Sequence, residues 1–320
     1  MRPWQSFSVA TLIVLIISSL LLGADSFRPW ELWGGAARHY QLVLFESRVP
    51  RTFALILAGA SLGVAGLLMQ MIVRNRFAEP STTGTMEGAV LGFVLAAIFF
   101  PGLGMAGKTL VSAACAAACA VLYLVILNRI PLRSTYLAPL IGLIFGGIIH
   151  SISTAIALDH NLTQSLYAWT AGDFTSVIRG RYELLWLAVP LVLLVYRLAN
   201  QFTVSGFGRD FSTGLGLNHN ILTAIGLAIV SAISALVVIV AGGIAFIGLI
   251  IPNLVRLKYG DNVKLTLPWI AVWSASFLLL CDVLGRVLIY PHEIPVGTLI
   301  GVLGSILLLV MLRVRKLNVG

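Results

Sequence analysis

Ten apolar segments, each close to the length that a bilayer crossing requires, follow one another along the 320-residue chain. A bilayer core of about 30 Å needs about 20 apolar residues per helix. The segments lie near 7–23, 52–73, 84–100, 108–127, 136–157, 184–200, 222–241, 244–257, 267–284 and 298–313. Their connections are short and leave no room for a separate soluble domain. We therefore predict an all-α, polytopic membrane protein with about ten transmembrane helices in one bundle, a single domain spanning 1–320.

The composition excludes the common soluble classes. Hydrophobic residues make up 59% of the chain and charged residues 10%, whereas soluble globular chains carry about 45–50% apolar and about 25% charged residues. Too few charges remain to cover a water-soluble surface, so a soluble enzyme or a DNA-binding module is excluded. The net charge of +9 would suit nucleic acid, but in so apolar a chain it indicates basic cytoplasmic loops. We expect no nucleic-acid partner.

The distribution of lysine and arginine predicts the orientation. With the N-terminus inside, thirteen of the 21 basic residues fall in cytoplasmic segments and eight fall outside. Cytoplasmic loops of membrane proteins carry the excess of Lys and Arg, so we predict that both termini are cytoplasmic (N-in and C-in). The outside residues include Arg48, Arg51 and Arg286, and an outer surface this basic requires an explanation of its own.

Patterns that would indicate catalysis or metal binding are weak. Gly102–Thr109 matches the phosphate-loop pattern Gly-x-x-x-x-Gly-Lys-Thr, but that chemistry needs a preceding strand and an apolar helix precedes it here. The three cysteines form no Cys-x-x-Cys pair, and no two histidines share a helix face at ligand spacing, so we expect no metal site. Glu87 and Asp282 lie at or within predicted spans, where an ionisable residue is a functional candidate. The alternative for Asp282 is an ion pair with Arg286.

Small residues recur at four-residue spacing in three of the apolar segments. The pairs are Gly59/Gly63, Gly142/Gly146 and Gly297/Gly301. Small residues let helix backbones approach closely where lipid gives no hydrophobic drive. The pattern predicts tight packing within one chain or, alternatively, a seam between two subunits.

Four stretches, in order along the chain, carry a more specific pattern. They are Arg48-Val-Pro-Arg51; Gly66-Leu-Leu-Met-Gln70 with the following Arg74-Asn-Arg-Phe-Ala-Glu-Pro80 and Gly84; Gly208-Arg-Asp-Phe-Ser-Thr-Gly-Leu-Gly216; and Gly243–Arg256 with Asp282–Arg286 and Glu293–Gly297. Together they resemble motifs of the permease subunits of binding-protein-dependent ABC importers for iron–siderophore, haem and cobalamin. The resemblance extends from near residue 45 to the C-terminus.

The departures from this family pattern bear on the branch. Arg76 stands where the family usually has proline, and Asn253 where it usually has histidine. The run 74–85 resembles the iron–siderophore branch, whose permeases commonly pair with a second, different permease. The resemblance therefore implies import of an iron(III)–siderophore chelate by a heterodimer of permeases. The same importer class for haem or cobalamin stays open as an alternative.

The resemblance suggests a role for the arginines at the outer helix ends. Arginines that match Arg48, Arg51 and Arg286 pair in this family with glutamates on the two lobes of the substrate-binding protein. Cations on an outer face also suit a carboxylate-bearing partner on electrostatic grounds. The alternatives are contact with lipid phosphates or an internal pair between Arg286 and Asp282.

On the inner face, the resemblance implies a cytoplasmic gate and a contact surface for the ATPase. The gate residues by this match are Asn75, Phe77, Ser134 and Thr135, although Asn75 would also serve as a simple helix-terminus cap. The stretch 203–220, here called the coupling segment, is too polar to span and too short for a domain. Its candidate coupling residues are Phe207, Gly208, Asp210, Phe211, Leu215 and Gly216. An amphipathic loop on the lipid surface is the alternative.

We therefore expect a permease in the bacterial cytoplasmic (inner) membrane, without a catalytic site or a cofactor of its own. The resemblance implies four partners: a second permease, two ATPase subunits that bind ATP and magnesium, and a substrate-binding protein. A secondary transporter is the main rival, and it would need inverted repeats and ion-coordinating carboxylates near the midplane. A membrane-embedded enzyme would need clustered His, Asp or Glu within the helices.

Overall fold

The computed structural model describes residues 3–22, 41–130 and 136–317, and their regular structure is entirely helical. The helices are α1 (Pro3–Leu21), α2 (Val49–Ile72), α3 (Thr85–Phe99), α4 (Met105–Arg129), α5 (Leu137–Asp159), α6 (Thr163–Thr170), α7 (Ala188–Arg197), α8 (Ala199–Ser205), α9 (Arg209–Gly214), α10 (His219–Ala241), α11 (Ile247–Tyr259), α12 (Val263–Val287) and α13 (Val296–Leu317). A π-helical turn, Leu44–Arg48, leads into α2, and 3-10 turns at Ser81–Thr83 and Glu183–Leu187 precede α3 and α7. The predicted all-α class is confirmed for this part of the chain.

Each of the ten predicted spans overlaps at least one helix, but the helices differ in length, and the span 184–200 is divided between α7 and α8. Six are long and apolar enough to cross a membrane: Trp4–Leu21, Gln41–Ile72, Met105–Arg129, Leu137–Asp159, His219–Ala241 and Val263–Val287. The pair Glu183–Arg197 and Ala199–Ser205, bent by 65°, would form a seventh. The chain thus has a polytopic membrane-type fold, while ten crossings and the N-in, C-in orientation stay predictions.

Two helices form the centre of the bundle. In the apolar stretches that contain α2 and α10, 78% and 72% of the residues are buried. In those of α1, α4 and α5 the buried shares are 11%, 28% and 28%. α2 packs against α10, α11 and α12, and its buried side chains lie all around its axis. A helix that is apolar all round belongs in a core. The apolar faces of α1, α4 and α5 are left for lipid or for other subunits.

Close approach of α2 and α12 explains the first small-residue pair. A Cβ atom added at Gly59 would lie 2.8 Å from the Ser274 carbonyl oxygen and 2.9 Å from the Ala275 Cα, and one at Gly63 would overlap the Ser274 side chain. At Gly142 and Gly297 the nearest atoms are also backbone atoms of the same chain. These glycines serve packing within one chain, the first of the two alternatives.

Two apolar helices of the bundle are shorter than the bilayer core is thick. α3 has 15 residues and α11 has 13, which at 1.5 Å per residue gives lengths of about 22 and 20 Å, against a bilayer core of about 30 Å. The segment 73–84, here called the 73–84 loop, follows α2 and turns back into the bundle before α3 begins. The N-terminal ends of α3 and α11 meet this loop inside the protein, and this arrangement positions one of the two candidate sites.

The α2–α12 contact leads to a test with a matched control. Gly59→Ala places a methyl group against backbone atoms that cannot rotate away, and overpacking of this kind costs about 1–3 kcal/mol. We expect a lower melting temperature of the detergent-solubilised protein. Gly301→Ala should not lower it, because a Cβ added at this helical glycine would meet no atom of another helix within 4 Å. Equal melting temperatures for the two variants would contradict the close packing.

Candidate functional site

Three arginines and two carboxylates from distant parts of the chain meet beside the first turn of α2. Arg51 donates from Nε and Nη2 to Oδ1 of Asp282 at 3.0 and 2.7 Å, and its Nη1 lies 2.8 Å from Glu293 Oε2. Arg286 pairs with the same Asp282, one helical turn earlier on α12, and Arg48 precedes α2 by one residue. We call this group the arginine cluster.

Two members of the arginine cluster also cap α1. Arg48 Nη1 donates to the carbonyls of Leu20 and Leu21 at 2.9 and 2.8 Å, and Arg286 Nη1 donates to the Leu22 carbonyl at 2.9 Å. The last carbonyls of a helix lack partners and carry partial negative charge, so cations are favourable there. The arginines therefore fasten the C-terminal end of α1 to α2 and α12.

The geometry bears on the predicted docking role of these residues. The pair between Arg286 and Asp282, which the sequence left as an alternative, is present, and Asp282 is fully buried. Arg48 and Arg286 are buried as well. The exposed edge of the cluster is the pair Arg51–Glu293, whose side chains are 11% and 22% exposed. Docking of a partner stays a prediction, and Arg51 is the member best placed for it.

At the other end of α2, a buried carboxylate holds the N-terminal end of α11. Glu79, in the 73–84 loop, is 2% exposed. Its carboxylate accepts the backbone N–H of Phe246 at 2.8 Å and the Ser81 hydroxyl at 2.6 Å, and the backbone N–H groups of Gly248 and Leu249 also stabilise its negative charge. The first N–H groups of a helix have no intrahelical partner and favour an anion. The loop and the helix thus satisfy each other's buried polar groups.

Glycines allow this contact between the second and fourth sequence motifs. A Cβ atom at Gly66 of α2 would lie 2.2 Å from the Gly248 Cα, and one at Gly248 would lie 2.8 Å from the Gly66 Cα and 3.2 Å from Glu79 Oε2. Gln70, one helical turn after Gly66, donates from Nε2 to the Gly248 carbonyl at 3.1 Å. The Gly-x-x-x-Gln motif is therefore a docking face for the start of α11.

The two departures from the family pattern contact each other. Asn253 Nδ2 donates to the Arg76 carbonyl at 2.6 Å. The Arg76 guanidinium lies 3.2 Å from Asp261, which also accepts from Arg256 Nε at 2.6 Å. The loop is in this way also tied to the C-terminal half of α11 and to the turn that follows it.

The predicted gate residues are only partly described. Asn75 is buried, and its Oδ1 accepts the backbone N–H of Phe77 at 2.8 Å, which is a local turn contact rather than a helix cap. The Phe77 ring lies 5.5 Å from that of Tyr136, at the start of α5. Ser134 and Thr135 lie outside the described residues. The gate assignment stays a prediction.

The coupling segment contains one whole short helix between two connecting turns. It contains the end of α8, the whole of α9 and the loop before α10. Gly208, with φ of 114°, and Gly216, with φ of 78°, flank α9, and Asp210 lies in its first turn. Phe207, Phe211 and Leu215 are exposed, and the two rings lie 5.4 Å apart. Exposed aromatic side chains on a short surface helix suit a protein partner.

The remaining candidate residues give weaker evidence for a functional site. The phosphate-loop match Gly102–Thr109 joins α3 to α4, so a helix precedes it and the strand that the chemistry needs is missing. Glu87 lies in the first turn of α3, and its Oε2 has no hydrogen-bond partner within the described residues. In the same part of the chain, no group of three or more His, Cys, Asp or Glu side chains could hold a metal ion.

Sequence reasoning did not assign roles to Glu79, Gln70 or Asp261. Glu79 and Gln70 belong to the second motif, but a glutamate between two apolar segments reads as a surface residue. The sequence signal for the buried position of Glu79 was the pair of glycines Gly66 and Gly248. These two glycines contact each other in the structure but lie far apart in the chain.

Comparison with known proteins agrees with the motif-based resemblance. A model of the FecCD transport family matches residues 11–314, and the chain belongs to this family. The petrobactin import system permease protein of Bacillus subtilis is 42% identical over 305 residues, covering 95% of this chain and 96% of that protein. The ferric-anguibactin transport system permease protein of Vibrio anguillarum is 38% identical over 304 residues, with coverage of 95% and 96%.

A solved structure shares the fold. It is a metal-chelate type ABC transporter in an inward-facing conformation, with a TM-score of 0.78, 22% identity, and coverage of 97% of this chain and 99% of that chain. The FecCD family match confirms the expected family, and with it a multi-pass membrane permease, which is a transport component of an ABC transporter.

The arginine cluster leads to a stability test. Asp282→Asn leaves Arg51 and Arg286 buried beside a neutral amide, and removing one partner of a buried ion pair costs about 3–5 kcal/mol. We expect a clear drop in the melting temperature of the solubilised protein. The control is Glu46→Gln at the exposed pair Glu46–Arg179, whose atoms are 3.2 Å apart and whose loss costs about 0–1 kcal/mol. Equal melting of the two variants would refute the structural role of Asp282.

Proposed function

We propose that this chain is the transmembrane permease subunit of an ATP-driven importer that carries an iron(III)–siderophore chelate into the cytoplasm. The observation that supports the proposal most directly is that residues of three of the four sequence motifs meet at two sites at opposite ends of α2. The chain also aligns along 95% of its length with permeases named for petrobactin and ferric anguibactin. The chelate is the cargo, and we assign no resident cofactor to the chain.

The proposed assembly contains a second permease of the same family, two ATPase subunits and a substrate-binding protein. The apolar, exposed faces of α1, α4 and α5 support a partner within the membrane. ATP and magnesium belong to the ATPases in this scheme. We place the permease in a bacterial cytoplasmic membrane, with ten crossings and both termini inside, because the positive-inside count favours that orientation.

We assign the coupling segment to the ATPase interface. Phe207 and Phe211 present an aromatic pair, and Leu215 extends it by one helical turn. Aromatic anchors that enter a partner's groove typically dominate interface energetics. A rigid-body shift of the two permeases, driven by closure of the ATPases, would then alternate access across the cavity between them.

We assign the arginine cluster to the binding-protein side. Arg51 is held on one edge by Asp282, while its other edge faces the partly exposed Glu293. A carboxylate of a partner protein is the ligand that a guanidinium favours in this geometry. In this assignment Arg48 and Arg286 have a different task, because their donors already hold α1 in place.

Uptake measurements test the proposed function. Cells that lack their own importers should receive this chain together with its partner subunits, and uptake of radioactive iron as ferric petrobactin or ferric anguibactin should be measured beside uptake of vitamin B12. We expect uptake of a ferric chelate that stops when ATP is depleted and continues when the ion gradient is collapsed. Cells with the partner subunits but without this chain are the control.

Two outcomes would contradict the proposal. Uptake that survives ATP depletion but collapses with the ion gradient would identify a secondary transporter. Uptake of vitamin B12 in place of the ferric chelates would identify the cobalamin branch.

A further inference from the structure

The Glu79 carboxylate lies inside the bundle rather than at its surface. Gly66, which contacts the same end of α11, is six residues before the end of α2, a depth of about 9 Å at 1.5 Å per residue. Gly142, whose added Cβ would lie 1.9 Å from the Thr82 carbonyl oxygen, is five residues after the start of α5, about 8 Å deep. The 73–84 loop therefore reaches one to two helical turns into the protein.

The start of α11 supplies the donors that this buried carboxylate needs. Within the described residues, no ion pair involves Glu79. Both of its oxygens face α11, since Oε1 accepts from Phe246 and Oε2 lies 3.2 Å from where a Cβ of Gly248 would be. A neutral amide cannot replace it, because the NH₂ group of glutamine would point a donor at backbone donors.

The loop is tied to α11 at a second point. Asn253 Nδ2 holds the Arg76 carbonyl, and Asp261 bridges Arg76 and Arg256. Arg256 Nη1 in turn donates to Gln70 Oε1 at 3.3 Å. Polar contacts at both ends of α11 thus make the loop and the helix one mechanical unit.

This unit continues toward the coupling segment. Thr203 Oγ1 accepts the backbone N–H of Val263, the first residue of α12, at 3.3 Å, and the turn between α11 and α12 contains Asp261. A cavity of about 170 Å³ lies between the loop and the coupling segment, and its lining includes Arg74, Arg76 and Phe207. The α11–α12 turn therefore provides one polar route between the loop and the coupling segment, and Arg74 Nη1, which would lie 2.9 Å from a Cβ added at Gly208, marks a direct approach beside it.

We propose that Glu79 is a positioning residue that couples α11 to the 73–84 loop, so that a displacement of the coupling segment moves the loop and its residues Asn75 and Phe77. This inference rests on the proposed function, since it takes the displacement to come from a partner ATPase. A path of contacts is only a candidate for coupling until coupling itself is measured.

The experiment uses the assembled transporter in lipid nanodiscs. Cys115, Cys119 and Cys281 are replaced by alanine, Phe77→Cys provides a single thiol, and its labelling rate with a charged maleimide is measured with and without MgATP and vanadate. Melting temperature and ATP hydrolysis are measured on the same samples. Two variants are compared: Glu79→Gln, and Asn253→Ala, which removes the hydrogen bond from Asn253 to the Arg76 carbonyl. The control is Glu183→Gln, because Glu183 is an exposed glutamate that accepts the backbone N–H of Gly180 at 2.7 Å.

In the background with only Phe77→Cys, we expect the labelling rate to change with nucleotide. In Glu79→Gln that change should shrink about fivefold or more, while ATP hydrolysis continues, and in Glu183→Gln it should be retained. Asn253→Ala should also reduce the nucleotide-dependent change in labelling rate. This variant tests the proposed coupling if Glu79→Gln does not fold.

The proposal is overturned if folded Glu79→Gln, or Asn253→Ala in its place, shows the full nucleotide-dependent change. A merely structural role would lower the melting temperature and leave that change intact. If the labelling rate of the Phe77→Cys background itself does not respond to nucleotide, the proposed ATP-driven function fails, which is a different result from failure of the Glu79 link alone.

Discussion

A carboxylate buried inside a membrane bundle must find its donors within the protein, and in this chain it finds them at the start of a helix. Glu79 and the N-terminal N–H groups of α11 are each costly to bury alone and satisfied together. The pairing permits α11 to begin inside the bundle, since non-helical backbone at membrane depth is tolerated only where protein surrounds it. The short α3 and the 73–84 loop follow from the same arrangement.

The other end of α2 meets the same constraint with opposite charges. In the arginine cluster, Arg51 and Arg286 pair with two carboxylates, and Arg48 and Arg286 donate to the last carbonyls of α1. α2, the most buried helix of the bundle, therefore ends in a polar junction on each side. One junction fastens α1 and α12, and the other fastens α11 and the loop that carries Asn75 and Phe77. A permease needs a rigid centre of this kind if its partners are to move it as a body.

Much of this could be predicted from the sequence, because apolar length and short motifs are local signals. Each predicted apolar run overlaps at least one helix of the structure, although the run 184–200 is broken between two, and the i, i+4 spacing suggested the pair of Asp282 and Arg286. The depth at which α11 begins could not be predicted, since its apolar run looks like any other span. The burial of Glu79 depends on close approach at Gly66 and Gly248, which are 182 positions apart in the chain, and one sequence does not reveal which glycines meet.

The central claim is that Glu79 satisfies the first N–H groups of α11 inside the bundle, and amide hydrogen exchange tests it most directly. In the native protein, the amides of Phe246, Gly248 and Leu249 should exchange as slowly as those in the middle of α2. In Glu79→Gln they should exchange much faster, while the α2 amides keep their protection. Fast exchange of these three amides in the native protein, or no change in the variant, would contradict the account.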